Sequence, residues 1–124
     1  MPLAILLVDD EPDIRTIATM ALRDISGFDV DTAHAGDRAL ELATSRTYDA
    51  ILLDVMMPGL DGVKTFQLLA ERSVKTPVIF MTAKTQRREM ESYLALGAAG
   101  VIQKPFDPVS LGDEVHSILA RPLR

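Results

Sequence analysis

An alternation runs the length of this chain. Five short apolar runs, Ala4–Val8, Val30–Ala33, Ala50–Leu53, Val78–Met81 and Gly100–Ile102, alternate with five longer segments of helical spacing. The first, third and fourth runs are apolar at nearly every position, as strands buried on both faces of a parallel sheet require. Val30–Ala33 is more mixed and reads as an edge strand, and Gly100–Ile102 is assigned as a strand mainly because the alternation places one there. Between them, Ile14, Ile17, Ala18, Ala21, Leu22 and Ile25 make one continuous helix face that Gly27 stops. A second helix spans Arg38 to Ser45, with Ala39, Leu40, Leu42 and Ala43 as its apolar positions. Val63, Phe66, Leu69 and Ala70 mark a third helix, and Met90 and Leu94 a fourth that ends at Gly97. Leu111, Val115, Ile118 and Leu119 mark a fifth, with Asp107 expected as its N-cap and Pro108 in its first turn. Strands alternating with single helices imply right-handed βαβ crossovers and a parallel sheet covered on both sides.

With 124 residues and no linker-like stretch, residues 1–124 read as one α/β domain. The absence of cysteine excludes disulfide scaffolds, thiolate nucleophiles, Cys-ligated zinc and iron–sulfur clusters. Two histidines, His34 and His116, are too few for a His-rich metal site and read as surface or packing residues. A net charge of −5 disfavours binding to nucleic acid or anionic lipid, which needs clustered cations. No apolar run approaches the ~20 residues of a membrane span, and Leu3–Val8 lacks the basic flank of a signal peptide. A soluble, cytoplasmic protein is the expectation.

Chemistry collects where the apolar runs end. Asp9-Asp10-Glu11 follows the first, Asp54 the third, Thr82 the fourth and Lys104-Pro105 the fifth. In an open parallel sheet those ends share one edge, where ligands bind. Taken singly, each residue has a bland explanation. An acid after a strand has reached water, a Thr at a strand end is structural, and a loop Lys is a solvated charge. Met56-Met57 reads as gap-filling core. Their coincidence on one edge is what carries the argument. Crowded carboxylates raise one another's pKa unless a cation enters. Their oxygens suit a hard cation such as Mg²⁺. A carboxylate held beside that ion can attack phosphorus to give an aspartyl phosphate, whose charge Lys104 and Thr82 would help neutralise.

Four stretches carry a resemblance: Ile5-Leu6-Leu7-Val8-Asp9-Asp10-Glu11, Leu53-Asp54-Val55-Met56-Met57-Pro58-Gly59-Leu60-Asp61-Gly62, Met81-Thr82-Ala83-Lys84, and Gly97 through Lys104-Pro105-Phe106. In order and spacing they resemble the receiver domains of two-component response regulators, of the CheY type. The resemblance implies a doubly wound (βα)₅ flavodoxin-like fold of three layers, with a five-stranded sheet in the order 2-1-3-4-5. It implies that Asp54 accepts phosphate from a histidine kinase or histidine phosphotransfer protein. Asp10, Asp54 and the Met56 backbone carbonyl would hold Mg²⁺ directly, and Asp9 largely through water. Thr82 and Lys104 would bind the phosphoryl oxygens, and the Lys104–Pro105 peptide would be cis. Where the family usually places a Tyr or Phe, three residues before the Lys, this chain has Val101. It is stiff and too small for the aromatic rotation. Activation is therefore expected to rearrange the fourth helix and the loop before it, with little contribution from Val101.

Three rival readings of the same residues fall short. A phosphatase of the haloacid dehalogenase type would want Asp-x-Asp after the first strand, but Glu11 stands at the second place. A nucleotide or flavin binder lacks G-x-x-x-x-G-K-[ST] and would find Asp-Asp-Glu-Pro repulsive to phosphate. A degenerate receiver acting only as a binding module conflicts with all five site residues being present. The expectation is thus a switch or relay whose chemistry is limited to accepting phosphate and losing it by hydrolysis, not a turnover enzyme. With the chain ending at Arg124, no output domain is expected. Output would pass by protein contact through the fourth helix, fifth strand and fifth helix, whose surface would include Arg87, Arg88, Tyr93 and Val101. The protein is expected as a monomer or a weak phosphorylation-dependent dimer.

Overall fold

All five apolar runs form strands, and the ladder pairs them as one parallel sheet. In this computed structural model, residues 2–84 and 86–121 are described. The elements in order are β1 (Ala4–Val8), α1 (Pro12–Met20), β2 (Asp29–Ala33), α2 (Gly36–Ser45), β3 (Ala50–Asp54), α3 (Gly62–Glu71), β4 (Val78–Thr82), α4 (Arg87–Leu96), β5 (Gly100–Gln103) and α5 (Leu111–Leu119). The strand order is β2-β1-β3-β4-β5. In register, Val8 lies beside Leu53 and Ala33, and Asp54 beside Met81. The C-terminal strand ends therefore sit side by side.

Two-residue periodicity splits the core. Leu6, Val8, Ile51, Leu53 and Phe80 face one way, onto Ala39, Leu40, Leu69 and Tyr93 of α2, α3 and α4. Ile5, Leu7, Leu52, Ile79 and Ile102 face the other, onto Ala18, Leu22, Leu111, Val115 and Ile118 from the α1 and α5 side. A sheet covered on both faces explains why the central runs lack polar residues. Among the described residues, no helix is long and apolar enough to cross a membrane.

Four local expectations need correction. The first helix face is only partly buried: Ala18, Ala21 and Leu22 are, whereas Ile17 and Ile25 are largely exposed. Residues Ala21–Ile25 continue α1 as a π-helix, in which the Ser26 N–H reaches back five residues to the Ala21 carbonyl. The wider turn rotates Ile25 off the buried strip. In α3, Ala70 is exposed and Thr65 takes a buried place instead. In α4, Leu94 is exposed and Tyr93 is buried, its ring 5.3 Å from that of Phe80. Tyr93 therefore belongs to the core and not to the outer surface. Asp107 does not cap α5. Its carboxylate accepts from the Val109 N–H at 3.0 Å and closes a separate turn, and α5 begins at Leu111 after Ser110. Gly27 and Gly97, both at positive φ, do follow helical segments as expected.

Candidate functional site

Each site residue is held at the sheet edge by its own strand end. Asp9 follows β1, and its N–H donates to Ala33 O at 3.1 Å, one step past the last β1–β2 pair. The Glu11 N–H folds back onto Asp9 Oδ1 at 2.9 Å, turning the chain into α1, where Pro12 fills the first helical position. Asp54 ends β3, and the Met56 N–H donates to its Oδ1 at 3.2 Å. Gly62 opens α3 directly against this strand end. A Cβ there would collide with the Asp54 carbonyl oxygen and the Val55 Cα, so only glycine lets α3 start so close. Thr82 ends β4 with its hydroxyl accepting from the Lys84 N–H at 3.0 Å. Lys104 follows β5, its N–H donates to Thr82 O at 2.9 Å, and the Lys104–Pro105 bond is cis.

These ends bring the acids together. Asp9, Asp10 and Asp54 each offer a carboxylate oxygen, and the three atoms lie within 4.8 Å of one another. Lys104 Nζ stands 2.7 Å from Asp9 Oδ2 and 3.4 Å from Asp54 Oδ1. Asp9 and Asp54 are buried, at 0% and 2% exposure. One ammonium thus faces three acids in a poorly hydrated place. Burial pushes the Asp54 carboxyl up to about 6, and the Asp9 charge adds to the rise. Lys104 and the Met56 N–H pull it partly back. For Lys104, burial opposes the charge, but the Asp9 hydrogen bond and the attraction of Asp54 outweigh it, so its pKa is raised.

The cluster is unfinished. Asp10 Oδ1 and Asp54 Oδ2 are buried without a hydrogen-bond partner among the described residues. Buried acceptors left so cost free energy, and an all-oxygen set of this kind suits a hard divalent cation. The residues present therefore fit the Mg²⁺ that the sequence led us to expect.

The outlying expectations divide. Thr82 is buried beside the Lys104 backbone, while its side chain bonds to Lys84 N rather than to any acid. Met57 is buried as core, but Met56 is 63% exposed at the mouth of the site, so only half of that pair fills a gap. His34 is exposed, and His116 lies edge-on to Phe28 at 5.1 Å, a packing role. Arg87 and Arg88 are exposed on α4, and Val101 is half-buried. Arg15 was not foreseen. Its Nη1 donates to the Asp9 carbonyl at 2.8 Å, a bond to backbone that leaves no sequence pattern.

Comparison with known proteins identifies the family and the fold. A family model described as the response regulator receiver domain matches residues 5–116. The alkaline phosphatase synthesis transcriptional regulatory protein PhoP of Bacillus subtilis is 39% identical over 94% of this chain and 48% of its own. The chain spans about half the length of the curated relatives it matches. Among solved structures, chemotaxis protein CheY4 of Vibrio cholerae is 31% identical, with a TM-score of 0.87 over 95% of this chain and 99% of its own. CheY in the CheX–CheY–BeF₃–Mg²⁺ complex from Borrelia burgdorferi is 27% identical, with a TM-score of 0.89 over 98% of this chain and 92% of that one. The chain belongs to the response regulator receiver domain family, with the CheY-like fold, of two-component systems.

Proposed function

We propose that this receiver takes a phosphoryl group onto Asp54 from the phosphohistidine of a histidine kinase or histidine phosphotransfer protein. The observation that carries the reading is the buried Asp54 carboxylate, whose Oδ2 has no hydrogen-bond partner among the described residues and whose Oδ1 lies 3.4 Å from Lys104 Nζ. In the transfer, an Asp54 carboxylate oxygen forms a bond to phosphorus as the donor's N–P bond breaks, and the electron pair stays on the imidazole nitrogen. The three peripheral oxygens carry negative charge throughout, and the Lys104 ammonium is positioned to offset it. Thr82 uses its oxygen to accept from Lys84 N, which leaves its O–H to donate to the phosphoryl group. Loss of the group is hydrolysis: water adds to phosphorus, the acyl phosphate bond breaks, and Asp54 returns as a carboxylate with release of inorganic phosphate.

Asp10, Asp54 and the Met56 carbonyl are the groups that would hold Mg²⁺, with Asp9 acting largely through water. When bound, the ion supplies charge neutralisation at the acid cluster and polarisation of the phosphoryl oxygens. Output is read as a change in protein contacts at the surface of α4, β5 and α5, where Arg87 and Arg88 are exposed. Val101, half-buried and β-branched, contributes little to that switch.

Intact mass after incubation with acetyl phosphate tests the acceptor. One Mg²⁺-dependent phosphoryl adduct is expected on the wild type and none on Asp54→Asn. An adduct that persists in Asp54→Asn, or a wild type that neither gains one nor responds to beryllofluoride, would overturn the reading.

A further inference from the structure

Besides the Lys104 ion pair on its Oδ2, Asp9 is held at three points. Its N–H donates to Ala33 O at 3.1 Å, its Oδ1 accepts from the Glu11 N–H at 2.9 Å, and its carbonyl accepts from Arg15 Nη1 at 2.8 Å. The third point fixes the plane of the Asp9–Asp10 peptide, because that carbonyl belongs to it. The plane in turn sets where the Asp10 Cα, and hence its carboxylate, can go. The Glu11 N–H on Asp9 Oδ1 closes the turn around Asp10 but does not touch this carbonyl, and Glu11, at the N-cap of α1, makes no side-chain capping bond. The Asp10 carboxylate has no hydrogen bond of its own at Oδ1 to hold it in place. Its approach to Asp9 and Asp54 therefore depends on the backbone beneath it.

We infer that Arg15 is a positioning residue for the cation site, orienting Asp10 through the Asp9 carbonyl. The inference rests on the Mg²⁺ reading above. It has a sign that separates it from simple electrostatics. Deleting a cation beside an acid cluster, with geometry unchanged, strengthens binding of a dication. Losing the anchor weakens it, and groups that orient metal ligands are worth about 10–100-fold in metal affinity.

Isothermal titration of the metal-free full chain with MgCl₂, together with metal-free melting curves, tests this. Arg15→Ala is expected to bind Mg²⁺ about tenfold more weakly than wild type while its metal-free melting temperature stays close to wild type. Arg15→Lys keeps a donor of similar reach and is expected to recover part of the loss. Binding by Arg15→Ala that equals or exceeds wild type overturns the inference, as does an Arg15→Lys no better than Arg15→Ala. A metal-free melting temperature that falls in step with affinity would make Arg15 a residue of the fold and also overturn it. If the wild type binds no Mg²⁺, the reading of the acid cluster fails instead.

Discussion

Two clusters in this molecule share almost the same composition and have opposite characters. Near the start of β2, Arg46 bridges Asp29 and Asp31 at 2.6 Å each, stacks over the Tyr48 ring at 5.2 Å, and Tyr48 donates to Asp31 at 2.7 Å. At the far edge of the sheet, Lys104 faces Asp9, Asp10 and Asp54. In the first cluster, Arg46 and its two acids are solvated, with side chains between 33% and 54% exposed. In the second, both acids paired to Lys104 are sealed, and acceptors are left over. Charge alone does not mark a functional site. Carboxylates that are buried and incompletely bonded do, because folding has made a place that a ligand is needed to complete.

The largest effect expected from breaking this comparison comes from its buried cation. Lys104→Met leaves Asp9 and Asp54 facing each other unpaired. Removing one partner of a buried pair costs several kcal/mol, so metal-free stability at pH 8 should fall by roughly 3 kcal/mol. Without the ammonium the Asp54 carboxyl rises further, because Lys104 is what pulls it partly back. A raised folded pKa gives stability that is present at low pH and lost as pH rises, so the deficit should shrink toward pH 5. Urea unfolding at both pH values checks this, and a deficit that does not vary with pH would mean that Lys104 is not compensating those acids.

Next in size is the gain from Asp54→Asn. With its carboxyl raised from 3.8 to about 6, Asp54 stabilises the fold least when ionised. Its contribution is fully present below pH ~4 and lost as pH rises through ~6. The variant escapes that loss, so it should exceed wild type by on the order of 2 kcal/mol at pH 7.5 in a chelator, and the gap should close near pH 4. Saturating Mg²⁺ should narrow the gap by stabilising the wild type more. Thermal melts with and without the metal read all three conditions. A variant that is no more stable at pH 7.5 would contradict the strain assigned to Asp54.

How much of this was legible in the sequence follows from what each contact uses. Asp9, Asp10, Asp54, Thr82 and Lys104 could be read because each follows an apolar run, and strand ends of a parallel sheet must meet at one edge. The strand order came only from the resemblance, since periodicity says which residues face a core and not which strands adjoin. Arg15 acts on a carbonyl, which every residue has, so no pairing of side-chain types could reveal it. Tyr93 escaped because Met90 and Leu94 have helical spacing too, whereas it is the Tyr93 ring that packs at a tilt against Phe80 in the core. Asp107 has true capping chemistry, but the chain spends it on a turn before α5. The π-helix at Ala21–Ile25 shows only in the backbone, and five ordinary helix residues give no sign of it.

The smallest effect should come from the solvated cluster, which makes it the control for the buried one. Arg46 has two short ion pairs and a ring beneath it, so counting contacts would rank it above Lys104. Water changes the ranking. Exposed pairs gain little from Coulomb attraction and lose the entropy of two long side chains, while salt screens what remains. Tyr48, whose hydroxyl is pushed up to about 12 by burial and by its bond to Asp31, keeps that bond when Arg46 is replaced. Arg46→Met should therefore move the urea midpoint only slightly at low salt and not measurably in 0.5 M NaCl, at pH 5 as at pH 8. A loss comparable to that of Lys104→Met, persisting in salt, would remove burial as the quantity that separates the two clusters.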